Sequence, residues 1–405
     1  MNSFKDAIEI NSKKIYQVQA LYNKDNTLEF VLQPERDFIF PNEIYLNFRV
    51  ELNKNYVMDN QADKLFDSVE IIVNNEKISS RSNSNEYFLA SFFQVKSNHP
   101  AVHYDNVLRP EGWYGCTNVN TDEILAQKHE QTIHERTTCE LKDDDGVLIS
   151  RIYHFSMQIH TPLFQQLKPL PSDVPIHINF KRSKPEMAIM KITADDDTTY
   201  TNKQIDLINP YLDITVIQSD KLKKRLDMTR KDALEYPIQM DVIRTHTIDD
   251  GMNHVRFNAT TGGKLPVHIF TALITPEAFH GDFTLSATKF EPFNLRKIEL
   301  FVDNKALPGS QVNISDQNWV EAYAKFYRQC KLMPNVYTGA LMSISEFTKT
   351  NFMTAYDMSS LDINTGWLSI DLNFAENIPK KLMLIVYMVF DQTVKFNKDR
   401  SVSVM

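Results

Sequence analysis

The sequence contains SVEIIVNNEKI at residues 68–78 and KIELFVDNKAL at residues 297–307. In both stretches apolar side chains alternate with polar ones, which is the period of a β-strand with one buried face. Both strands then reach an Asn-Asn or Asp-Asn pair, and such pairs favour a tight hairpin turn. The two stretches therefore predict the same hairpin at two places in one chain.

Segments around the two hairpins also match in pairs, in the same order. One pair predicts a short helix in each half, and the others predict alternating strands. The pairs are 16–22 with 238–242, 40–48 with 264–270, 85–93 with 318–326 (the helices), 153–159 with 368–374, and 176–180 with 382–390. Because a shared order is typical of a duplicated domain, the sequence predicts an all-β fold of two consecutive antiparallel jelly-roll β-sandwiches with short helices, a double jelly roll.

The pattern also predicts the domain boundaries. Two long inserts with little strand pattern fall between the helix and the next strand, so we expect them to project side by side from one end. The connector has helical character, and its basic cluster is typical of a solvated helix face. The predicted units are an N-terminal arm at 1–14, a first jelly roll at 15–218 with an insert at 98–147, a connector at 219–236, and a second jelly roll at 237–405 with an insert at 331–362.

Composition limits the function classes. Aromatic residues make up 11% of the chain, which favours strands, and the 10 glycines are too few to favour phosphate-binding loops. The net charge of −8 argues against direct binding to a nucleic-acid backbone. The 3 cysteines are too scattered for a disulfide framework, which favours assembly inside a cell.

Neither a signal peptide nor a membrane span is predicted. The N-terminus lacks the apolar stretch of a signal peptide, so we expect a protein that is not secreted. The longest apolar run, Leu382 to Phe390, is much shorter than the ~20 residues of a membrane-spanning helix. That run predicts a strand buried on both faces.

The ordered stretches resemble a known family: the capsid proteins of Polinton/Maverick-type elements and adintoviruses, in the double jelly-roll lineage of the adenovirus hexon. The likeness spans roughly residues 40–395, whereas the first 30 or so residues and the insert at 98–147 match nothing in it. The stretches that carry it are LFDSVEIIVNN (65–75), PIHINFKRS (175–183), EYPI (235–238), FVDNKALP (301–308) and VFDQ (389–392).

The resemblance implies a major capsid protein. Three chains with two rolls each would form a six-lobed, pseudo-hexameric capsomer that tiles an icosahedral shell, with upright strands and outward loops. The implied partners are the chain itself as a homotrimer, neighbouring capsomers, a penton or vertex protein and minor capsid proteins. The implied location is the virion. No catalytic, cofactor-binding or metal residues accompany the family, so we expect none here, and no enzyme.

Two weak metal patterns are present. Cys116, His129, His134 and Cys139 form a loose series, but zinc sites prefer ligand pairs two to four residues apart. The acidic runs 143–145 and 195–197 lack the loop and closing Glu of a calcium site. Surface histidines, ordinary thiols and solvated loop tips are the favoured interpretations.

Nucleophilic catalysis has no clear signal either. There is no Gly-x-Ser-x-Gly elbow, and Cys330 follows the second predicted helix without a nearby histidine in sequence. We expect His154, His160 and His177 on the polar faces of strands, where a pH-sensitive contact between subunits is conceivable.

Three other functions remain open at this point. A tandem β-sandwich that binds carbohydrate or a receptor would be a monomer with an aromatic-lined groove. An enzyme on a cupin-type jelly roll would need clustered inward-facing His and Glu ligands, which the sequence does not show. A minor capsid or vertex protein is also compatible, although one roll usually suffices for it.

Overall fold

The structure is a computed structural model. It describes residues 12–405 apart from 25, 34–36, 60, 82–84, 99–110, 112, 114–138, 172, 193–197, 202, 221–223, 225–233, 261–262, 315–318, 331–341, 360, 362 and 398. Within this part of the chain, no helix has the length and apolar character needed to cross a membrane.

The first sandwich consists of two antiparallel sheets and a small strand pair, β5 (Tyr56–Met58) with β12 (Ile189–Lys191). Sheet 1A has, in spatial order, β1 (Ser12–Gln19), β13 (Leu207–Gln218), β4 (Phe38–Asn53), β9 (Leu148–Gln158) and β8 (Cys139–Lys142), with β10 (Leu170–Pro171) on β4. Sheet 1B has β2 (Tyr22–Lys24), β3 (Thr27–Leu32), β11 (Ile176–Arg182), β6 (Phe66–Val73) and β7 (Glu76–Arg81).

The second sandwich repeats this plan. Sheet 2A has β14 (Leu234–Ile248), β22 (Leu382–Phe396), β16 (His268–Ile274) and β20 (Met353–Asp357), with β23 (Val402–Val404) on β22. Sheet 2B has β15 (His254–Asn258), β21 (Leu368–Phe374), β17 (Leu295–Val302) and β18 (Lys305–Ala306), with β19 (Val312–Asn313) on β17.

Short helices lie between the strands. They are α1 (Glu86–Asn98), α2 (Pro185–Ala188), α3 (Pro276–His280), α4 (Trp319–Gln329) and α5 (Ile344–Lys349), with one 3-10 turn at Ala62–Leu65. The helices α1 and α4 fall at the two positions predicted from the sequence.

In each half the chain passes back and forth between the two sheets. In the first half β1, β4, β9 and β13 lie in sheet 1A, while β3, β6, β7 and β11 lie in sheet 1B. In the second half β14, β16, β20 and β22 lie in sheet 2A, while β15, β17, β18 and β21 lie in sheet 2B. The strand order is therefore the same in both halves, which confirms the predicted double jelly roll.

The two hairpins form as the turn chemistry predicts. Asn74 and Asn75 both have positive φ between β6 and β7, and so do Asp303 and Asn304 between β17 and β18. Positive φ at both central residues is the requirement of a type I′ turn, which asparagine and aspartate tolerate better than most residues. The buried residue Ile71 of β6 faces the core together with Ile178 of β11.

Two of the paired segments were matched wrongly. The strand of the second half that corresponds in position to β9 is β20, and not residues 368–374. The strand of the second half that corresponds to β11 is β21, and the apolar run in β22 corresponds to β13. The error arose at β20, because its short stretch MTAYD is buried on both faces, apart from its last residue, and shows no alternation. The predicted insert at 331–362 therefore contains both α5 and β20.

The remaining boundaries stay predictions. The strand β1 begins at Ser12, inside the segment assigned to the arm, and β14 begins at Leu234, inside the assigned connector. Most of the arm, the connector and the insert at 98–147 lies outside the described residues.

Phe180 tests the core of the first sandwich. Its ring is fully buried among Phe30, Phe66 and Tyr87. We expect Phe180→Ala to lower the free energy of unfolding by about 3–5 kcal/mol, because it leaves a cavity. Urea denaturation checks this. The control is His177→Ala on the same strand, which should change stability by less than about 0.5 kcal/mol; equal losses in both variants would contradict the assigned faces.

Candidate functional site

The two sandwiches meet at α1, which is buried on all sides between them. On one side the ring of Tyr87 lies 6.4 Å from that of Phe66 and 6.1 Å from that of Phe180 in the first core. On the other side Phe92 and Phe93 belong to the core of the second sandwich. A helix that buries apolar side chains on more than one side is typical of a position between two packed layers.

Phe93 makes the central contact on the second side. Its ring stacks on Tyr387 at 5.2 Å between centroids and lies 6.1 Å from Phe270. Gln94 Nε2 donates to Tyr387 Oη and to Asp241 Oδ2, each at 3.1 Å, and Tyr387 Oη donates to Asp241 Oδ2 at 3.1 Å. The buried polar atoms are thus paired, which avoids the cost of leaving them unsatisfied. We call this contact of α1 with sheet 2A the joint.

The joint covers the outer face of sheet 2A. Phe270 and Tyr387 are register partners on β16 and β22. The opposite face is marked by His246, whose ring stacks on Phe257 of sheet 2B at 4.6 Å and whose partner on β22 is Leu384. Since alternate residues of a strand point to opposite faces, Phe270 and Tyr387 point away from sheet 2B and towards α1.

Buried charges also link the sandwiches. The Lys64 side chain is fully buried, and its ammonium pairs with Asp59 and donates to Ser286 Oγ at 3.1 Å. Ser286 Oγ in turn donates to Asp59 Oδ2 at 2.8 Å. Ser286 lies in the second sandwich, so this network crosses between the two halves. Loss of one partner would leave a buried charge without compensation.

Asp63 lies beside this network, and Ser91 of α1 donates to its Oδ2 at 2.9 Å. Burial raises the pKa of Asp63 to about 6; Glu111 adds to the rise, while His160 and the hydrogen bond from Ser91 oppose it. His160 Nε2 lies 3.2 Å from Glu111 Oε2, and both side chains are buried. As the pH rises through about 6, the Asp63 carboxyl therefore loses its proton and becomes negatively charged at the contact between the two sandwiches.

The histidine predictions hold in two of three cases. His154 is exposed and His177 is partly exposed, each on the side of its strand away from the core. The prediction for His160 is wrong, since it is only 2% exposed. Strand β9 ends at Gln158, so the alternation used in the prediction no longer applies at His160.

The weak metal patterns gain no support. Of the zinc series only Cys139 lies in the described part of the chain, where it is exposed; the acidic run 195–197 is also outside it. Asp143 Oδ1 accepts from the backbone N–H groups of Asp145 and Val147, so this carboxylate shapes a turn. Among the residues with a described position, no group of three or more His, Cys, Asp or Glu could hold a metal ion.

Cys330 is buried just beyond α4, and burial raises the pKa of its thiol well above the ordinary value. A thiol in such surroundings is a poor nucleophile, because the thiolate is the reactive form. Cys330 is therefore a packing residue of the second core.

The comparisons with known sequences are sparse. No family model matches the chain. The Caenorhabditis elegans protein named "Uncharacterized protein F54H12.2" is 26% identical over 171 residues, which are 39% of this chain and 41% of that protein. The chain thus matches less than half the length of this relative.

Solved structures match along the whole chain. They include VP54 of the virus PBCV-1, fitted into a reconstruction of the virophage Sputnik (TM-score 0.60, 8% identity, 100% of this chain and 98% of that one). The Sputnik virophage structure gives a TM-score of 0.59 at 10% identity (100% and 90%). The major capsid protein of mavirus gives 0.55 at 10% identity (100% and 93%). At such low identity the likeness shows a shared fold: the chain has the double jelly-roll architecture that these structures have.

Phe93→Ala tests the joint. We expect a loss of about 3–5 kcal/mol in the free energy of unfolding, because the cavity opens between two stacked layers. Chemical denaturation followed by fluorescence checks this. Tyr327→Ala on α4 is the control, since Tyr327 is 41% exposed. A Phe93 variant as stable as the control would show that the joint contributes little.

Asp63→Asn tests the buried carboxyl. Because the folded pKa of about 6 lies above the ordinary 3.8, the charged form destabilises the fold, and the wild type loses stability as pH rises from about 4 to 6. The variant has no such charge. We expect its advantage over wild type to grow by about 3 kcal/mol between pH 4 and pH 7. Urea denaturation across this range checks it, with the exposed Asp250→Asn as control; parallel pH curves for wild type and Asp63→Asn would refute the burial effect.

Proposed function

We propose that this chain is a major capsid protein that forms pseudo-hexameric homotrimeric capsomers of an icosahedral shell. The observation that carries the proposal is the duplicated sandwich: two halves of identical strand order, fastened by the joint. The full-length likeness to the capsid protein of mavirus and to VP54 supports it.

Duplication suits this role for a geometric reason. A hexagonal lattice position has six neighbours, and three chains with two similar lobes each present six similar edges. The contact between chains in such a ring is heterologous, because the surface that one chain gives differs from the surface that its neighbour receives.

We propose assembly and not catalysis as the activity, with no catalytic, cofactor-binding or metal residues. The proposed partners are further copies of the chain, a penton or vertex protein and minor capsid proteins, and the proposed location is the virion after assembly inside the host cell. Placement in the Polinton/Maverick–adintovirus group rests on the sequence stretches quoted above. A tandem binding module is the competing function.

The mass in solution separates the two functions. We expect the purified chain to be a stable homotrimer at micromolar concentration by light scattering or native mass spectrometry. Only a closed ring of three chains buries the contact surface of every chain, whereas a monomer or dimer leaves some of these surfaces exposed to water. Electron microscopy of the trimer should show six lobes. A monomer that persists at this concentration would contradict the capsomer and favour the binding module.

A further inference from the structure

The two sandwiches have equivalent corners, each made by a hairpin turn and the residue before the strand beside it. The turn after β6 lies beside the start of β11, and the turn after β17 lies beside the start of β21. In the first corner the backbone N–H of Asn74 donates to the carbonyl oxygen of Pro175 at 3.0 Å. In the second corner the backbone N–H of Asp303 donates to the carbonyl oxygen of Trp367 at 2.9 Å. Asp303 and Trp367 are therefore the counterparts of Asn74 and Pro175.

The first corner is covered by the second half of the chain. Asn74 Nδ2 donates to the carbonyl oxygen of Arg400 at 2.8 Å, and Arg400 lies in the turn between β22 and β23. The Nε atom of Arg400 lies 3.5 Å from Oδ2 of Asp173, which precedes β11. Asn74 and Pro175 are accordingly half-buried. The segment that follows β22 thus closes this end of the first sandwich.

The second corner is uncovered. Trp367 is 61% exposed, and Asp303 is exposed as well. Asp303 Oδ1 accepts from the backbone N–H of Trp367 at 2.9 Å, and among the described residues its carboxylate has no ion-pair partner. An indole ring and a carboxylate both attract a cation. The second corner therefore offers two adjacent groups that favour a positively charged partner.

The chain has a positively charged counterpart of the covering turn. Because β13 corresponds to β22, the segment that follows β13 corresponds to the segment that covers the first corner. It contains the basic run KLKKR at residues 221–225, of which the structure describes Lys224. Lys224 is exposed and forms no ion pair with another described residue. This segment thus carries positive charge, as the covering turn does at Arg400.

We propose that the second corner binds a second copy of the chain, whose Lys224 lies against the indole ring of Trp367 and beside the carboxylate of Asp303. This inference rests on the trimeric capsomer proposed above and names one of its contacts. Within a chain, the segment after the second sandwich covers the corner of the first. In a ring of six similar lobes, the segment after each first sandwich covers the corner of the second sandwich in the adjacent chain.

The different residues of the two corners have a physical reason. The partner of the first corner is held by the chain itself, so proline and asparagine suffice there. A contact between chains must offset the freedom that is lost on association. Tryptophan is among the residues that contribute most to such contacts, and a charged pair fixes their register and speeds association. Trp367 and Asp303 are therefore suited to a partner that arrives from solution.

Trp367→Ala tests the aromatic part of the contact. We expect it to weaken trimer formation by about tenfold or more in concentration, because truncation of a tryptophan at an interface removes much of the binding energy. The measurement is the mass distribution against concentration by light scattering. Leu21→Ala, between β1 and β2, is the matched control, since Leu21 is 70% exposed and should leave the trimer unchanged. Circular dichroism monitors folding, and Trp367→Phe replaces the alanine variant if that variant fails to fold.

A double-mutant cycle tests the charged pair. Asp303→Asn removes the charge and keeps the turn, because asparagine occupies the equivalent position at Asn74 with the same positive φ. Asp303→Asn and Lys224→Gln should each weaken the trimer by about threefold or more. The double variant should be about as weak as the weaker single variant, because the two changes remove one shared interaction. Lys305→Gln, exposed on the same hairpin, is the control and should have no effect.

The outcomes separate the two proposals. A weakened Trp367 variant together with non-additive losses at Asp303 and Lys224 supports the contact at the second corner. A wild-type trimer that the Trp367 variant leaves unchanged overturns this contact and leaves the capsomer standing. The same holds for a trimer in which the Asp303 and Lys224 variants have no effect or have effects that add. A monomeric wild type overturns both proposals.

Discussion

The burial of α1 against the outer face of sheet 2A is the interaction on which the rest of the molecule depends. It places the ring of Phe93 on Tyr387 and brings a helix of the first half into the core of the second sandwich. Aromatic side chains bury much area for little loss of side-chain freedom, so one helix can fix two sandwiches relative to each other. The orientation of the lobes, and hence any assembly built from them, is set by this contact.

The buried charges between the two sandwiches have a different effect from that of the aromatic contact. The Lys64–Asp59 pair and the Asp63 carboxyl cost desolvation energy, and apolar residues of similar size would often give equal or greater stability. Such groups fix the relative position of the two sandwiches. A buried ion pair requires one geometry, whereas apolar surfaces can slide over each other. Ser286 can satisfy Lys64 and Asp59 only when the second sandwich lies in one position.

Much of this fold can be predicted from the sequence, since its main signals are local. Alternation identified most strands, and the Asn74-Asn75 and Asp303-Asn304 pairs identified both hairpins, because turn chemistry acts within a few residues. β20 was missed because a short strand buried on both faces has no alternation. The joint was missed as well, although the two apolar runs of α1, Tyr87 to Ala90 and Phe92-Phe93, were a usable signal. The partners of His160 and Asp63 come from distant parts of the chain, and no local pattern reveals them.

The late strands of the chain also complete the early sandwich. Val394, Phe396 and Val402 belong to the first core, where they pack with residues from the start of β14. During synthesis the first sandwich therefore leaves the ribosome with one side of its core open. At ~5–20 residues per second, the delay between the end of β13 and the arrival of these residues is on the order of ten seconds or longer. For that time the first core lacks side chains that complete it, and the nascent chain exposes apolar surface of the kind that chaperones bind.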